Sequence, residues 1–175
     1  MAEATTTGHR REWSKYALIT VPAIVLLGWA SGRLSGSGYG NPWFDALIKP
    51  TFMPPGWMFG AAWTFLYILL GLALALILAR PPSDRRRTAL VLFFAQLALN
   101  FAWSPIFFAA HDIGLAKYVI MIMAVVAGIA AGKFWRMRRV AGMLLIPYLA
   151  WLVFAAMLNS AILELNPGAG TALLG

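Results

Sequence analysis

Long apolar runs separated by short polar segments dominate the chain. Predominantly apolar stretches lie at about residues 16–33, 56–79, 88–110, 113–132 and 140–163. A helix needs roughly 20 apolar residues to cross the hydrocarbon core of a bilayer. The pattern therefore predicts an all-α integral membrane protein, built as one bundle of five transmembrane helices.

The segments outside these runs predict two tails and one structured loop. Residues 1–12 and 166–175 show no hydrophobic periodicity and predict mobile tails on a transmembrane domain of residues 13–165. The first loop, residues 34–55, contains the segment NPWFDALIKP at 41–50. In this segment Asn41 suits an N-cap, Pro42 a first helical position and Pro50 a helix stop. A short helix is expected inside this loop.

The first loop is also long and aromatic, with Tyr39, Trp43, Phe44 and Phe52. Loops of this length in compact proteins often act as lids or binding segments. An aromatic anchor at the membrane surface explains the same composition. Composition alone favours neither interpretation.

The distribution of charged residues predicts the orientation of the chain in the membrane. Only 11% of the 175 residues are charged, and the net charge of +8 does not indicate nucleic-acid binding, because basic residues sit at the ends of the apolar runs. Eleven of the fourteen Lys and Arg precede the first run or lie between the second and third runs and between the fourth and fifth. The positive-inside rule therefore predicts a cytoplasmic N-terminus and an outside C-terminus. Inner and outer membranes both stay open.

The first run admits a second interpretation, as a cleavable leader that ends before Ser31. We favour a retained helix, because cleavage would leave an even number of spans. A mature protein that starts at Ser31 would contradict the five-helix prediction.

A polar stripe crosses the third run. Gln96, Asn100 and Ser104 follow one another at intervals of four, so they share one helix face. A buried amide without a partner costs on the order of 1–3 kcal/mol. This face is therefore expected to point into a cavity or towards another helix rather than towards lipid.

Two other runs carry aromatic stripes, Trp63 with Tyr67 and Tyr148 with Trp151, Ala155 and Asn159, while Trp103 lies beside the polar stripe. Together these faces predict a pocket for a flat, mostly apolar aromatic ligand. For any single residue, an interface anchor or a contact between helices is the simpler explanation. The agreement of three stripes favours a pocket.

Residues suited to metal or acid–base chemistry are sparse. The sequence has no cysteine, and His9 and His111 have no ligand or catalytic partner close in sequence. All six carboxylates fall at helix ends or in loops, whereas an ion-coupled pump usually places one in mid-membrane. We predict no metal site, no required cofactor and no catalytic residue.

Three segments resemble the translocator protein family, also called tryptophan-rich sensory proteins or peripheral benzodiazepine receptors. They are KPTFMPPGWMFGAAWTFLY at 49–67, QLALNFAWSPIFF at 96–108 and LLIPYLAWLVFAAMLN at 144–159. The resemblance spans about residues 19–166. It implies a five-helix bundle, usually a homodimer, that binds porphyrins, haem and benzodiazepine-type ligands in a pocket closed by the first loop.

The resemblance also implies roles for individual positions. It makes Trp43 and Phe44 lid aromatics and Pro54 and Pro55 the double proline that ends the lid, with Phe52 just before it. The implied pocket wall consists of Trp63, Asn100, Trp103, Trp151 and Ala155, and the resemblance places Phe107, Phe108 and Tyr148 near it. The expected ligand-binding residues are this wall together with Trp43, Phe44, Phe107 and Tyr148.

Two positions depart from the family pattern. Phe52 stands where a tryptophan is usual, which weakens the expectation of porphyrin recognition or light-dependent chemistry there. Residues 160–164 lack the Tyr and Arg of the cholesterol-recognition segment, so sterol binding by that segment is not expected.

The leading expectation is a membrane receptor or sensor for protoporphyrin IX or haem. A porphyrin or hydrophobic-molecule transporter is the first alternative, and light-dependent porphyrin degradation at Trp63 and Trp151 is the second. The expected partners are a porphyrin-type ligand, the lipid bilayer and a second copy of the chain. Within the polar stripe, Asn100→Ala is expected to weaken ligand binding and Gln96→Ala chiefly to lower stability.

Overall fold

The computed structural model describes the backbone of residues 2–169 and the side chains of residues 12–169. Its helices are α1 (Ala2–Leu34), α2 (Pro42–Ala46), α3 (Gly56–Leu78), α4 (Asp84–Ser104), α5 (Ile113–Met137), α6 (Arg139–Met143) and α7 (Ile146–Leu165), with a π-helical turn at Pro105–Ala109. Five helical segments within the described residues are long and apolar enough to cross a membrane. The predicted five-helix, multi-pass membrane bundle is confirmed.

The short helix predicted in the first loop is α2. The side chain of its N-cap, Asn41, accepts hydrogen bonds from the backbone N–H groups of Trp43 and Phe44 at 3.0 and 3.2 Å. Pro42 occupies the first helical position, and the helix ends at Ala46, before Pro50. These contacts satisfy amide donors that every helix start leaves free.

Several helices are longer than hydropathy predicts. The backbone is already helical at Ala2, inside the predicted tail, and α4 begins at Asp84, where the N-cap Ser83 accepts from the N–H of Arg86 at 3.2 Å. Hydropathy marks only the membrane-crossing part of α4, whereas Arg85, Arg86 and Arg87, which have good helix propensity, continue this helix beyond it. Residues 170–175 of the predicted C-terminal tail lie outside the described part.

Two prolines interrupt the apolar runs in different ways. Pro105 opens the π-helical turn, in which the N–H of Ala110 reaches the carbonyl of Pro105 at 2.8 Å. The fifth run is split at residues 144–145 into α6 and α7, so Pro147 lies in the first turn of α7 rather than inside one helix. Proline fits a first turn, where no intrahelical donor is needed.

Helix packing pairs α1 with α3 and α4 with α5, while α7 packs on α5. A Cβ atom at Gly71 of α3 would lie 2.6 Å from the Cα of Val21 in α1, and the Thr20 hydroxyl donates to the Gly71 carbonyl at 2.8 Å. Because α3 joins the first loop to residues 79–83, its length of about 34 Å puts these two loops at opposite ends of the bundle.

Candidate functional site

A buried polar network connects α3, α4 and α7 at the centre of the bundle. The Tyr67 hydroxyl donates to Asn100 Oδ1 at 3.0 Å, and Asn100 Nδ2 donates to the Tyr148 hydroxyl at 3.2 Å. The Tyr148 hydroxyl in turn donates to Gln96 Oε1 at 2.7 Å. Each of these four side chains is buried. Asn100 is therefore the link that holds a phenol of α3 and a phenol of α7 in fixed positions.

The predicted polar stripe divides into two parts. Gln96 and Asn100 face the interior, as expected for amides that avoid lipid. Ser104 instead accepts a hydrogen bond from the Ser37 hydroxyl at 3.1 Å, at the start of the first loop. Ser104 therefore joins α4 to this loop and takes no part in the central network.

The first aromatic cluster surrounds Trp63. Its ring is stacked on Tyr67 with centroids 5.3 Å apart, and it meets the edges of Trp151 at 6.2 Å and Tyr148 at 6.5 Å. Ala155 packs against the same core one turn beyond Trp151. The structure thus brings the predicted stripes of α3 and α7 together over the polar network.

The second aromatic cluster joins the first loop to the π-helical turn. Trp103 is stacked on Phe107 at 5.0 Å, and Trp43 meets Phe107 edge-on at 5.6 Å. Phe44, only 3% exposed, contacts Phe107 and also Phe108 at 5.2 Å. The first loop therefore lies closed against the membrane-spanning helices through its aromatic side chains.

Sequence reasoning missed Lys49, which fastens the first loop. Its ammonium donates to the carbonyls of Phe44, Asp45 and Leu47 at 2.8 to 3.1 Å. It also lies 4.8 Å from the centre of the Phe44 ring. A lysine just beyond a helix end is a recognisable C-terminal partner for free carbonyls.

We predict that Lys49→Met loosens the first loop without unfolding the bundle. The loss of charge-assisted hydrogen bonds leaves three carbonyls at the end of α2 without this donor, which costs about 1–3 kcal/mol locally. Limited proteolysis at residues 35–55 should accelerate about tenfold, while the thermal transition of the bundle changes little. Lys117→Met is the control, and equal cleavage of both variants would contradict the fastening role.

An apolar cleft of about 500 Å3 opens between α3 and α7 beside the first cluster. Its walls are Pro54, Met58, Ala62, Leu66, Pro147, Ala150, Trp151 and Phe154. Phe52 is 47% exposed and approaches Phe154 at 6.4 Å, while Pro54 lines the cleft and Pro55 is the N-cap of α3. The predicted lid residues at the end of the first loop thus meet a volume that suits a drug-sized ligand.

Two indole donors in these clusters lack acceptors. Trp103 Nε1 and Trp151 Nε1 are buried without a hydrogen-bond partner among the described residues. Buried donors are usually satisfied, and an unpaired one costs about 1–3 kcal/mol. An oxygen acceptor in contact with either N–H group would relieve this cost.

Comparisons with known proteins agree on one family. Residues 19–165 match the TspO/MBR family. The chain is 30% identical over 152 residues to protein CrtK of Rhodobacter capsulatus, covering 86% of this chain and 95% of that protein. It is 37% identical over 126 residues to the tryptophan-rich sensory protein of Cereibacter sphaeroides (72% and 78% covered) and 34% identical over 144 residues to the human translocator protein (81% and 85%).

Proposed function

The chain belongs to the TspO/MBR family, and we propose that it is a receptor that binds tetrapyrroles such as protoporphyrin IX or haem among α3, α4 and α7. Family membership and the five apolar helices give it a membrane sensor, receptor or translocator role. The tetrapyrrole is the ligand that we add to this role.

The observation that carries the proposal is the pair of unpartnered indole donors inside aromatic walls. A tetrapyrrole presents a broad flat face and acidic side chains. Its face suits stacking on Trp63 and Trp151, whose rings lie 6.2 Å apart at 82°, so that one ring offers a face where the other offers an edge. Its carboxylate oxygens suit the N–H groups of Trp103 and Trp151. Benzodiazepine-type ligands, with aromatic rings and a carbonyl, match the same features.

Titration of protoporphyrin IX against tryptophan fluorescence of the purified protein tests the proposal. We predict saturable quenching, with affinity about tenfold weaker in Trp103→Phe and Trp151→Phe, because each change removes one N–H donor to the ligand. Trp135→Phe is the control, since Trp135 is 44% exposed near the end of α5 away from the first loop. Absence of saturable quenching, or equal losses in all three variants, would refute the proposal.

Transport is the second candidate, and the position of the apolar cleft favours it. Seven of its eight lining residues belong to two spanning helices, so a hydrophobic molecule would enter sideways from the bilayer. Such movement needs no charged group in mid-membrane. Porphyrin flux into liposomes that depends on the protein would support transport, and flux equal to that of empty liposomes would exclude it.

Light-dependent porphyrin degradation is the third candidate. Trp63 and Trp151, the reactive groups suggested by the family resemblance, contact each other edge-to-face with ring centroids 6.2 Å apart. Illumination of the porphyrin complex under oxygen should then change its absorption spectrum faster than in a Trp63→Phe, Trp151→Phe double variant.

A further inference from the structure

The end of the bundle opposite the first loop holds a second cleft, of about 600 Å3, which we call the basic cleft. It lies between the α3–α4 connection and the last turn of α5. Its lining residues are Arg80, Pro81, Pro82, Ser83, Arg85, Lys133, Arg136 and Met137. Four of these eight side chains are cationic, and none is acidic.

The cations of the basic cleft are not neutralised from within the described structure. Arg80, Arg85, Lys133 and Arg136 make no ion pair with any carboxylate there. Asp84 adjoins the cleft in sequence, but it is exposed and pairs with none of them. The neighbouring Arg86 is already engaged, because its guanidinium donates to the Arg80 carbonyl at 2.6 Å. Four like charges around one cleft repel one another, so an anion would stabilise this arrangement.

The basic cleft is preformed by rigid elements. Phe93 of α4 stacks on Phe134 of α5 with centroids 5.4 Å apart, which packs the N-terminal half of α4 against the C-terminal end of α5. Pro81 and Pro82 restrict the backbone of the connection. The Ser83 oxygen accepts from Arg86 N–H, so its hydroxyl hydrogen stays available to a ligand.

We propose that the basic cleft binds a phosphate-bearing anion. Guanidinium groups match phosphate oxygens with paired hydrogen bonds, and lysine and serine add single donors. The cleft adjoins the end of the apolar segment Gly56–Leu78, and a segment of this length that crosses a bilayer ends near the lipid headgroups. An anionic phospholipid is therefore one source of the anion and a soluble polyphosphate the other. Nothing in the tetrapyrrole proposal requires this site.

Native mass spectrometry of the delipidated full chain tests the proposal. We predict that dioctanoyl phosphatidylglycerol binds and dioctanoyl phosphatidylcholine does not, and that Arg85→Gln with Lys133→Gln weakens binding about tenfold or more. The matched control is Arg87→Gln with Arg139→Gln, which removes the same charge at the same end outside the basic cleft. This control should keep its affinity for phosphatidylglycerol.

Inorganic pyrophosphate distinguishes the two sources. Binding of the lipid alone identifies a headgroup site, whereas binding of pyrophosphate in competition with the lipid identifies a site for soluble polyphosphates, and both outcomes support the proposal. Equal weakening in the two double variants would show general electrostatic attraction and overturn it. Failure of both anions to bind would overturn it as well. Unchanged circular dichroism spectra and thermal transitions confirm that the variants are folded.

Discussion

Asn100→Ala is expected to lower the free energy of unfolding by about 2–3 kcal/mol and also to weaken tetrapyrrole binding. The change removes both hydrogen bonds that the amide makes with Tyr67 and Tyr148 and leaves a cavity between three helices. The binding loss follows because the two tyrosines, which pack beside Trp63, lose their common anchor. Denaturation with SDS, followed by circular dichroism, measures the first effect and porphyrin titration the second.

Gln96→Leu is the matched comparison for Asn100→Ala. Gln96 accepts one hydrogen bond from Tyr148, and its Nε2 has no partner in the described structure, so an apolar replacement also removes an unsatisfied donor. The buried Tyr148 O–H loses its acceptor at the same time, so the two changes offset each other. The net cost should stay below about 1 kcal/mol, with porphyrin affinity unchanged. A double-mutant cycle with Tyr67→Phe should show coupling for Asn100 and none for Gln96. The reverse order of effects would show that Asn100 is not the central link.

Gly71→Ala is expected to destabilise the bundle by about 2–3 kcal/mol, although alanine is the better helix former. Its methyl group would lie 2.6 Å from the Val21 Cα, a backbone atom that moves only if α1 separates from α3. That separation would also stretch the hydrogen bond from Thr20 to the Gly71 carbonyl. The same denaturation experiment measures the loss.

Gly60→Ala provides the control for Gly71→Ala in the same helix. An added Cβ at Gly60 meets no atom within 4 Å, so only the helix propensity changes. This variant should be neutral or more stable by up to about 1 kcal/mol. If Gly71→Ala behaved in the same way, the close approach of α1 and α3 would not contribute to the stability of the bundle.

The parts of the fold that hydropathy and capping encode locally were predictable. Five apolar runs specify five spans, and Asn41 with Pro42 specifies the start of α2, because span length and cap chemistry depend on neighbouring residues only. The break at residues 144–145 was missed, since both sides of it are equally apolar. The helical residues outside the membrane-crossing segments were also missed, because charged residues score low on a hydropathy scale.

The candidate site was predictable as a set of faces but not as a network. Period-four spacing placed Asn100, Tyr67 and Tyr148 on inward faces, yet their pairing depends on how three helices are rotated about their axes. The hydrogen bond between Ser37 and Ser104 depends on where the first loop packs on the bundle, which is a long-range property. The bonds of Lys49 to the carbonyls of residues 44–47 are local, so its position just after α2 could have indicated them. Sequence spacing therefore indicates which side chains face inward, while only packing decides which of them meet.

Asn166 connects the end of the last helix with the first loop. Its amide accepts from the N–H of Ile48 and donates to the same residue's carbonyl, both at 2.9 Å, across 118 positions of sequence. The Asn166 side chain thus pairs with both the N–H and the C=O of Ile48, as the backbone of an adjacent β-strand would. These two hydrogen bonds tie the end of α7 to the first loop, so the loop cannot move away from α7 at Ile48 without breaking both of them.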